Sequence, residues 1–154
     1  MSDVTVQLDL ASTPDVLALL EEHLRDMHAT SPAESVHALD VDGLRGPGVT
    51  FWSARDAEGT LLGVGALRVD DGWAEVKSMR TTHAARGRGV AATMLRHLVD
   101  EARRAGFDEV LLETGSQDYF AAARRLYARH GFVETGPFGT YVEDPHSTFM
   151  RLAL

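Results

Sequence analysis

The stretch Arg86-Gly87-Arg88-Gly89-Val90-Ala91 constrains this chain more than any other. It lies between a strand-like run, Trp73 to Thr81, and a helix-like run, Val90 to Arg104. Two glycines let the backbone turn sharply and approach a ligand with no Cβ in the way. The following helix aims its unpaired N–H groups and the positive end of its dipole back at the loop. That geometry favours an anion, most naturally a phosphate. Arg86 and Arg88 add charge-assisted hydrogen bonds. The stretch therefore reads as a holder for a phosphate-bearing ligand. The bland alternative is a strand-to-helix turn with solvated arginines.

Which phosphate ligand is a separate question. The P-loop pattern Gly-x-x-x-x-Gly-Lys-Ser/Thr is absent. The dinucleotide fingerprint is weakly met, with Ala92 where its third small residue would sit. That motif belongs early in a βαβ unit, whereas here it falls in the second half of the chain with one short strand after its helix.

A chain of 154 residues suggests one domain spanning 1–154 with a sizeable core. The lack of cysteine excludes disulfides, thiolate metal sites and cysteine nucleophiles. No apolar run is long enough to span a bilayer and no basic, then apolar, leader opens the chain, so a cytoplasmic location is expected. The formal net charge of −8 argues against nucleic acid as a partner. The arginines nonetheless gather between Arg80 and Arg104 and again at Arg124, Arg125 and Arg129. A local positive patch on an acidic protein fits a small polyanion better than a polymer. No His-Glu-x-x-His or comparable spacing argues for a metal.

Val4, Val6, Leu8 and Leu10 alternate with polar residues as in a half-buried strand. Ser12-Thr13-Pro14-Asp15 starts a helix whose apolar face carries Val16, Leu17, Leu20, Leu24 and Met27 and which ends near residues 28–30. Ser31-Pro32-Ala33-Glu34 reads as a capping box for a short second helix through Leu39. Val49 to Arg55, Leu61 to Val69 and Trp73 to Thr81 form an antiparallel meander, with turns at 56–59 and 70–72. The long helix from Val90 buries Val90, Met94, Leu95, Leu98, Val99 and Ala102, and Gly106 stops it. Val110 to Leu112 is a buried strand parallel to the one before, Tyr119 to His130 a helix, and Phe132 to Glu134 and Thr148 to Leu152 complete the sheet. The order is β-α-α-β-β-β-α-β-α-β-β, a mixed α/β layer.

These residues resemble a known family. Arg86 to Ala91 matches the Arg/Gln-x-x-Gly-x-Gly/Ala motif of the GNAT N-acetyltransferase superfamily. Ala123-Arg124-Arg125-Leu126-Tyr127-Ala128-Arg129-His130-Gly131-Phe132 is similar to that family's Ala-x-x-Leu-Tyr-x-x-x-Gly-Phe segment. The segments 27–40, 75–81 and 113–117 look like the YsnE-type branch, often labelled indole-3-acetate acetyltransferase, a label that does not settle the substrate. The resemblance implies a GNAT-like acyl-CoA N-acyltransferase fold with splayed parallel strands in mid-sheet. It implies acetyl-CoA as cofactor, with the pyrophosphate on Arg86, Gly87, Arg88, Gly89, Val90 and Ala91. The pantetheine would lie between the splayed strands, along Met79, Arg80 and Thr81 on one side and Thr114 on the other. Phe120 stands where the family often has Asn, so any cofactor contact by an Asn side chain is lost.

Acetyl transfer to an amine needs a neutral nucleophile, an oxyanion stabiliser and an acid for the departing thiolate. Tyr127 matches the tyrosine that serves as that acid in many members of the family, against a bland reading as core packing with a satisfied hydroxyl. Glu75, six residues ahead of Thr81, occupies the region where several members place a general base. Its competing reading is a salt bridge to Lys77 on the same strand face, and the two stand level. Strand alternation sends Ser78 and Arg80 to the opposite face. Candidates for an acceptor pocket are His28, Glu34, Ser35, His37, Lys77 and Tyr141, with Asp144 and His146 beside the last. Lys77, His28 or His37 would suit an acceptor bearing a carboxylate, and all of them also read as solvated surface. The expected activity is transfer of an acetyl group to a small-molecule amine within a ternary complex. A protein lysine or N-terminal acetyltransferase, a non-catalytic acyl-CoA-binding regulatory module and a nucleotide-binding protein stay open. The resemblance also admits a homodimer, with no interface marked in the sequence.

Overall fold

A computed structural model describes residues 3–70 and 72–154; Asp71, in the expected 70–72 turn, lies outside the described residues. The first half of the chain builds an antiparallel meander. β1 (Thr5–Leu8) pairs with β2 (Val49–Arg55), β2 with β3 (Leu61–Asp70), and β3 with β4 (Trp73–Thr81). A helix, α3 (Val90–Arg104), then crosses over to β5 (Glu109–Gly115), which runs parallel to β4. The helix α4 (Ala121–Arg129) leads to β6 (Val133–Thr135), and β7 (Ser147–Ala153) inserts between β5 and β6. The result is one seven-stranded mixed sheet, ordered β1-β2-β3-β4-β5-β7-β6.

Each face of this sheet buries a separate apolar cluster. One joins Trp52, Leu62, Leu67 and Val76 to the stripe of α3, whose buried residues are Val90, Met94, Leu95, Leu98, Val99 and Ala102 as the spacing predicts. α3 ends in a Schellman motif: Gly106 adopts φ 87°, Phe107 N–H donates to the Ala102 carbonyl, and Gly106 N–H to Arg103. The other cluster packs α1 (Pro14–Thr30), through Val16, Leu19 and Leu20, on Phe51, Leu61, Val64 and Ala66. No helix among the described residues is long and apolar enough to cross a membrane.

Three expectations are corrected. Ser31 does not start a helix through Leu39. Only a 3-10 turn forms (Ala33–Ser35), the chain runs on without helix to Asp40, and a one-turn helix α2 (Val41–Leu44) follows, where Asp40 caps Gly43 N–H at 2.8 Å. Asp40 has a free carboxylate for the cap, whereas the Ser31 hydroxyl accepts from Gln117 at 3.3 Å and the 3-10 turn has no side-chain cap. β1 is shorter than its apolar alternation suggests, and Leu8 and Leu10 stay 70% and 81% exposed on the sheet edge. Third, β4 does not keep a two-residue alternation, because it contains a bulge.

The bulge sets up the site. Lys77 pairs with Ala66 of β3, whereas Arg80 pairs with Val64, so three steps along β4 match two along β3. Ser78 takes up the extra residue at φ 52°. Val64 and Ala66 both face α1, so their partners Arg80 and Lys77 share that face, contrary to simple alternation. Arg80 accordingly bonds Asp26 at 2.6 Å and Glu22 at 3.1 Å on α1.

Candidate active site

Parallel pairing of β4 with β5 covers three residue pairs, Trp73 with Glu109, Ala74 with Val110 and Glu75 with Leu111, and then ceases. Beyond Glu75 and Leu111 the two strands part, each still held on its other edge, β4 by β3 and β5 by β7. The facing edges of residues 76–81 and 112–115 are therefore left without a ladder. A cleft of about 660 Å³ opens in this gap and reaches both faces of the sheet.

On the α3 face the cleft is lined by Arg86, Gly87, Gly89, Val90 and Ala91, and by Leu126, Tyr127 and Arg129 of α4. Gly87 and Gly89 adopt φ 79° and 78°, left-handed values that a side chain makes costly. Gly89 caps α3 with no side-chain bond, and among the described residues no acceptor meets the amides of Gly87 to Ala92; the next, Thr93, donates to the Gly89 carbonyl. Such a row of unsatisfied donors at a helix N-terminus fits a phosphate or pyrophosphate. Open strand edges beyond it fit an amide-bearing extended arm. On these observations the residues present suit coenzyme A.

Of the expected cofactor residues, Met79, Arg80, Thr81, Arg86, Gly87, Gly89, Val90, Ala91, Thr114, Phe120 and Tyr127 line the cleft; Arg88 points outward and does not. Arg80 is spent on Asp26 and Glu22, and Arg124 donates to the Gly115 and Gln117 carbonyls, so part of the arginine patch is structural. Phe120 packs against Gly115 so closely that a Cβ there would meet its ring at 2.1 Å.

On the α1 face the wall is made of Met27, Ser31, residues 35–38, Lys77, Glu113 and His146. Ser35 donates to Asp144 at 2.6 Å, which ties the 3-10 turn to the loop before β7. His28 and Glu34 are exposed and line no part of the cleft, nor do Tyr141 and Asp144 behind it; of the acceptor candidates, Ser35, His37, Lys77 and His146 meet there. Beneath the wall lies an ionic floor. Glu75 is 0% exposed, accepts from Tyr141, and pairs with Lys77 at 3.2 Å and Arg68 at 3.4 Å. The Lys77 ammonium meets three acceptors: Glu75, the Tyr141 hydroxyl at 2.7 Å and the His37 carbonyl at 3.0 Å. An ammonium has three donors, so none is left over. Of the two readings of Glu75, the salt bridge to Lys77 is present, and Glu75 itself does not line the cleft.

Tyr127 is 7% exposed, with its ring 5.9 Å from that of Phe132. Burial, and secondarily the Glu113 carboxylate, push its pKa up to about 12. Its hydroxyl makes no hydrogen bond among the described residues, which leaves its proton available. Burial and then Lys77 hold the His37 pKa below the usual imidazole value. Among the cleft residues that sequence reasoning missed are two ionisable ones, Glu113 and His23. Glu113 follows directly on the apolar run Val110 to Leu112, and a charge continuing a buried strand was the signal. His23 sits on the apolar stripe of α1 between Leu20 and Met27, and its Nδ1 is buried with no partner. Burial lowers its pKa to about 4.

This geometry coincides with clear similarity to known proteins. The chain is 44% identical to the Bacillus subtilis protein named uncharacterized N-acetyltransferase YsnE, covering 97% of this chain and 99% of that one. It is 40% identical to the Azospirillum brasilense protein named IAA acetyltransferase, over the whole of both chains. The crystal structure of a Klebsiella pneumoniae protein described as a putative acyl-CoA N-acyltransferase superposes with a TM-score of 0.79 at 25% identity, covering 98% of this chain and 97% of that one. Residues 16–132 match the family model described as acetyltransferase (GNAT) family, and the chain belongs to that family of N-acetyltransferases.

Proposed function

We propose that this protein transfers an acetyl group from acetyl-CoA, the cofactor of its family, to the primary amine of a small molecule by direct attack. The observation that carries the proposal is the single cleft through the sheet, joining the α3 amide cradle to a polar wall on the α1 face. Bonds across the α1 face tie its elements together, which favours a small molecule over a protein chain. Gln117 reaches the Thr30 carbonyl at 3.2 Å and Ser31 at 3.3 Å, and Tyr119 reaches Asp26 at 3.2 Å, so α1 is strapped to the turn after β5.

Bound acetyl-CoA supplies an activated acetyl thioester. Gly87 to Ala91 would hold its pyrophosphate through their amides, and the open edges of 79–81 and 114 would satisfy its amide-rich arm. Tyr127 lines the cleft, holds its proton at neutral pH and has no hydrogen-bond partner for it among the described residues, which places it to protonate a thiolate leaving group there. Glu75 acts as a positioning residue: it fixes Lys77 and Tyr141, which brace the 35–38 wall. No cysteine exists to carry an acyl-enzyme, in keeping with direct attack.

Thermal-shift titration with CoA, acetyl-CoA, ATP and NAD tests the reading. Ligand at ~100 times its dissociation constant stabilises by about 2.7 kcal/mol. Shifts with the two CoA ligands alone, and thiol release with an amine added, are the expected results. Absence of either would overturn the proposal.

A further inference from the structure

The acceptor wall contains one carboxylate that nothing in the fold neutralises. Glu113 lies on β5 one alternation beyond Leu111, the residue facing Glu75, so it points to the same side of the sheet as Glu75 and Lys77. It lines the cleft directly, whereas Glu75 does not. Among the described residues it forms no ion pair, since the cation beside it, Lys77, is taken by Glu75. Groups facing it come from every surrounding element: Glu75 and Lys77 on β4, Ser147 on β7, Tyr141, Asp144 and His146 before β7, Tyr127 on α4 and His37 in the α1-face wall. Two of these are further carboxylates. The one ammonium has no donor to spare, and burial and then Lys77 disfavour a positive charge on His37.

We infer that Glu113 is the residue that receives the acceptor's ammonium group and takes its proton, and that the acceptor is a cationic amine without a carboxylate next to that nitrogen. The inference deepens the acetyltransferase reading above and rests on it. The step is a single proton transfer: one N–H bond of the R–NH3+ group breaks, an O–H bond forms on Glu113, and the nitrogen keeps the electron pair as a free nucleophile. The Glu113 acid later returns its proton to water. A carboxylate suits this work only if its pKa lies nearer neutrality than usual. Burial raises that of Glu113, Glu75 and Asp144 reinforce the rise, and Ser147 and Lys77 offset part of it. Lys77 cannot offer a carboxylate-bearing acceptor a hydrogen bond without leaving the floor, which disfavours amino acids.

Pairs of amines and their amino-acid parents test this: tryptamine with tryptophan, tyramine with tyrosine, cadaverine with lysine. For the wild-type protein at least one amine should exceed its parent by about tenfold or more in kcat/KM. Glu113→Gln should lower kcat/KM for that amine about 10²-fold or more, as for loss of a general base. Calorimetry on the CoA complex, where no turnover occurs, should show the same amine binding at least tenfold more weakly to Glu113→Gln. The CoA thermal shift should be unchanged, which shows that the variant is folded. Should that variant fail to fold, the wild-type preference and an acid limb of kcat/KM above the usual carboxylate range decide the matter. Turnover by Glu113→Gln within threefold of wild type, or a preference for the amino acids, would overturn this inference alone. Failure of wild type to acetylate any amine would instead overturn the activity itself.

Discussion

The two mouths of the cleft are built on different principles. On the α3 side the ligand-facing groups are backbone amides, set by two glycine torsions and a helix start within Gly87 to Ala92. On the α1 side they are side chains drawn from α1, the 3-10 turn, β4, β5 and the loop before β7, joined by bonds such as Ser35 to Asp144 and Lys77 to Tyr141. A site made of backbone needs few particular side chains and is rigid wherever its torsions are fixed. A site made of long-range side-chain bonds depends on every partner, and its selectivity can change without disturbing its neighbour.

Breaking the floor should have the largest effect. Glu75→Gln leaves Lys77 buried without its counter-charge, and loss of one member of a buried pair costs about 3–5 kcal/mol. Chemical denaturation should show this loss, with recovery of part of it in Glu75→Gln/Lys77→Met. Next comes acid sensitivity from His23. Its folded pKa of about 4 lies below the unfolded value of 6.5, so the unfolded chain binds the proton first. Stability is full above pH 6.5 and falls as pH drops towards 4, by up to about 3 kcal/mol. His23→Leu should flatten the stability curve across that window.

Tyr127→Phe should then lower kcat by about 10²-fold, equivalent to about 2.7 kcal/mol, while the CoA dissociation constant holds. The smallest effects belong to the loop and sharpen the contrast most. Gly89→Val opposes φ 78° at a cost of about 1–2 kcal/mol, which should weaken CoA binding roughly tenfold by calorimetry. Arg88→Ala, removing an exposed side chain outside the cleft, should leave it within about twofold.

The same contrast explains what the sequence made legible. The order of strands, the buried stripe of α3 and the glycine turn that opens that helix are local patterns of period and turn chemistry, and they are where the spacing put them. The acceptor wall was legible only as a set of polar residues around 28–37 and 141–146. Whether His37 or His28 reaches the cleft depends on the 3-10 turn at Ala33–Ser35, whose Ser35 is pinned by a residue 109 positions away. No local window carries that information. Nor does any local rule reveal that Lys77 is saturated, because its partners are His37 and Tyr141, 40 and 64 positions distant.

Ser78 has a consequence for how this chain tolerates change. A strand is a two-beat rhythm, and the residue at φ 52° is a dropped half-beat between Lys77 and Arg80. Straighten that torsion with Ser78 still in the strand, and everything downstream changes sides while everything upstream stays. Arg80 would turn from Asp26 into the oily layer beneath α3, and the last residues of β4 would present the wrong edge to the gap. Deleting Ser78 takes out the extra residue instead: Lys77 and Arg80 then stand two steps apart, opposite Ala66 and Val64, and keep the same face, so here a shorter strand is less disruptive than a straighter one.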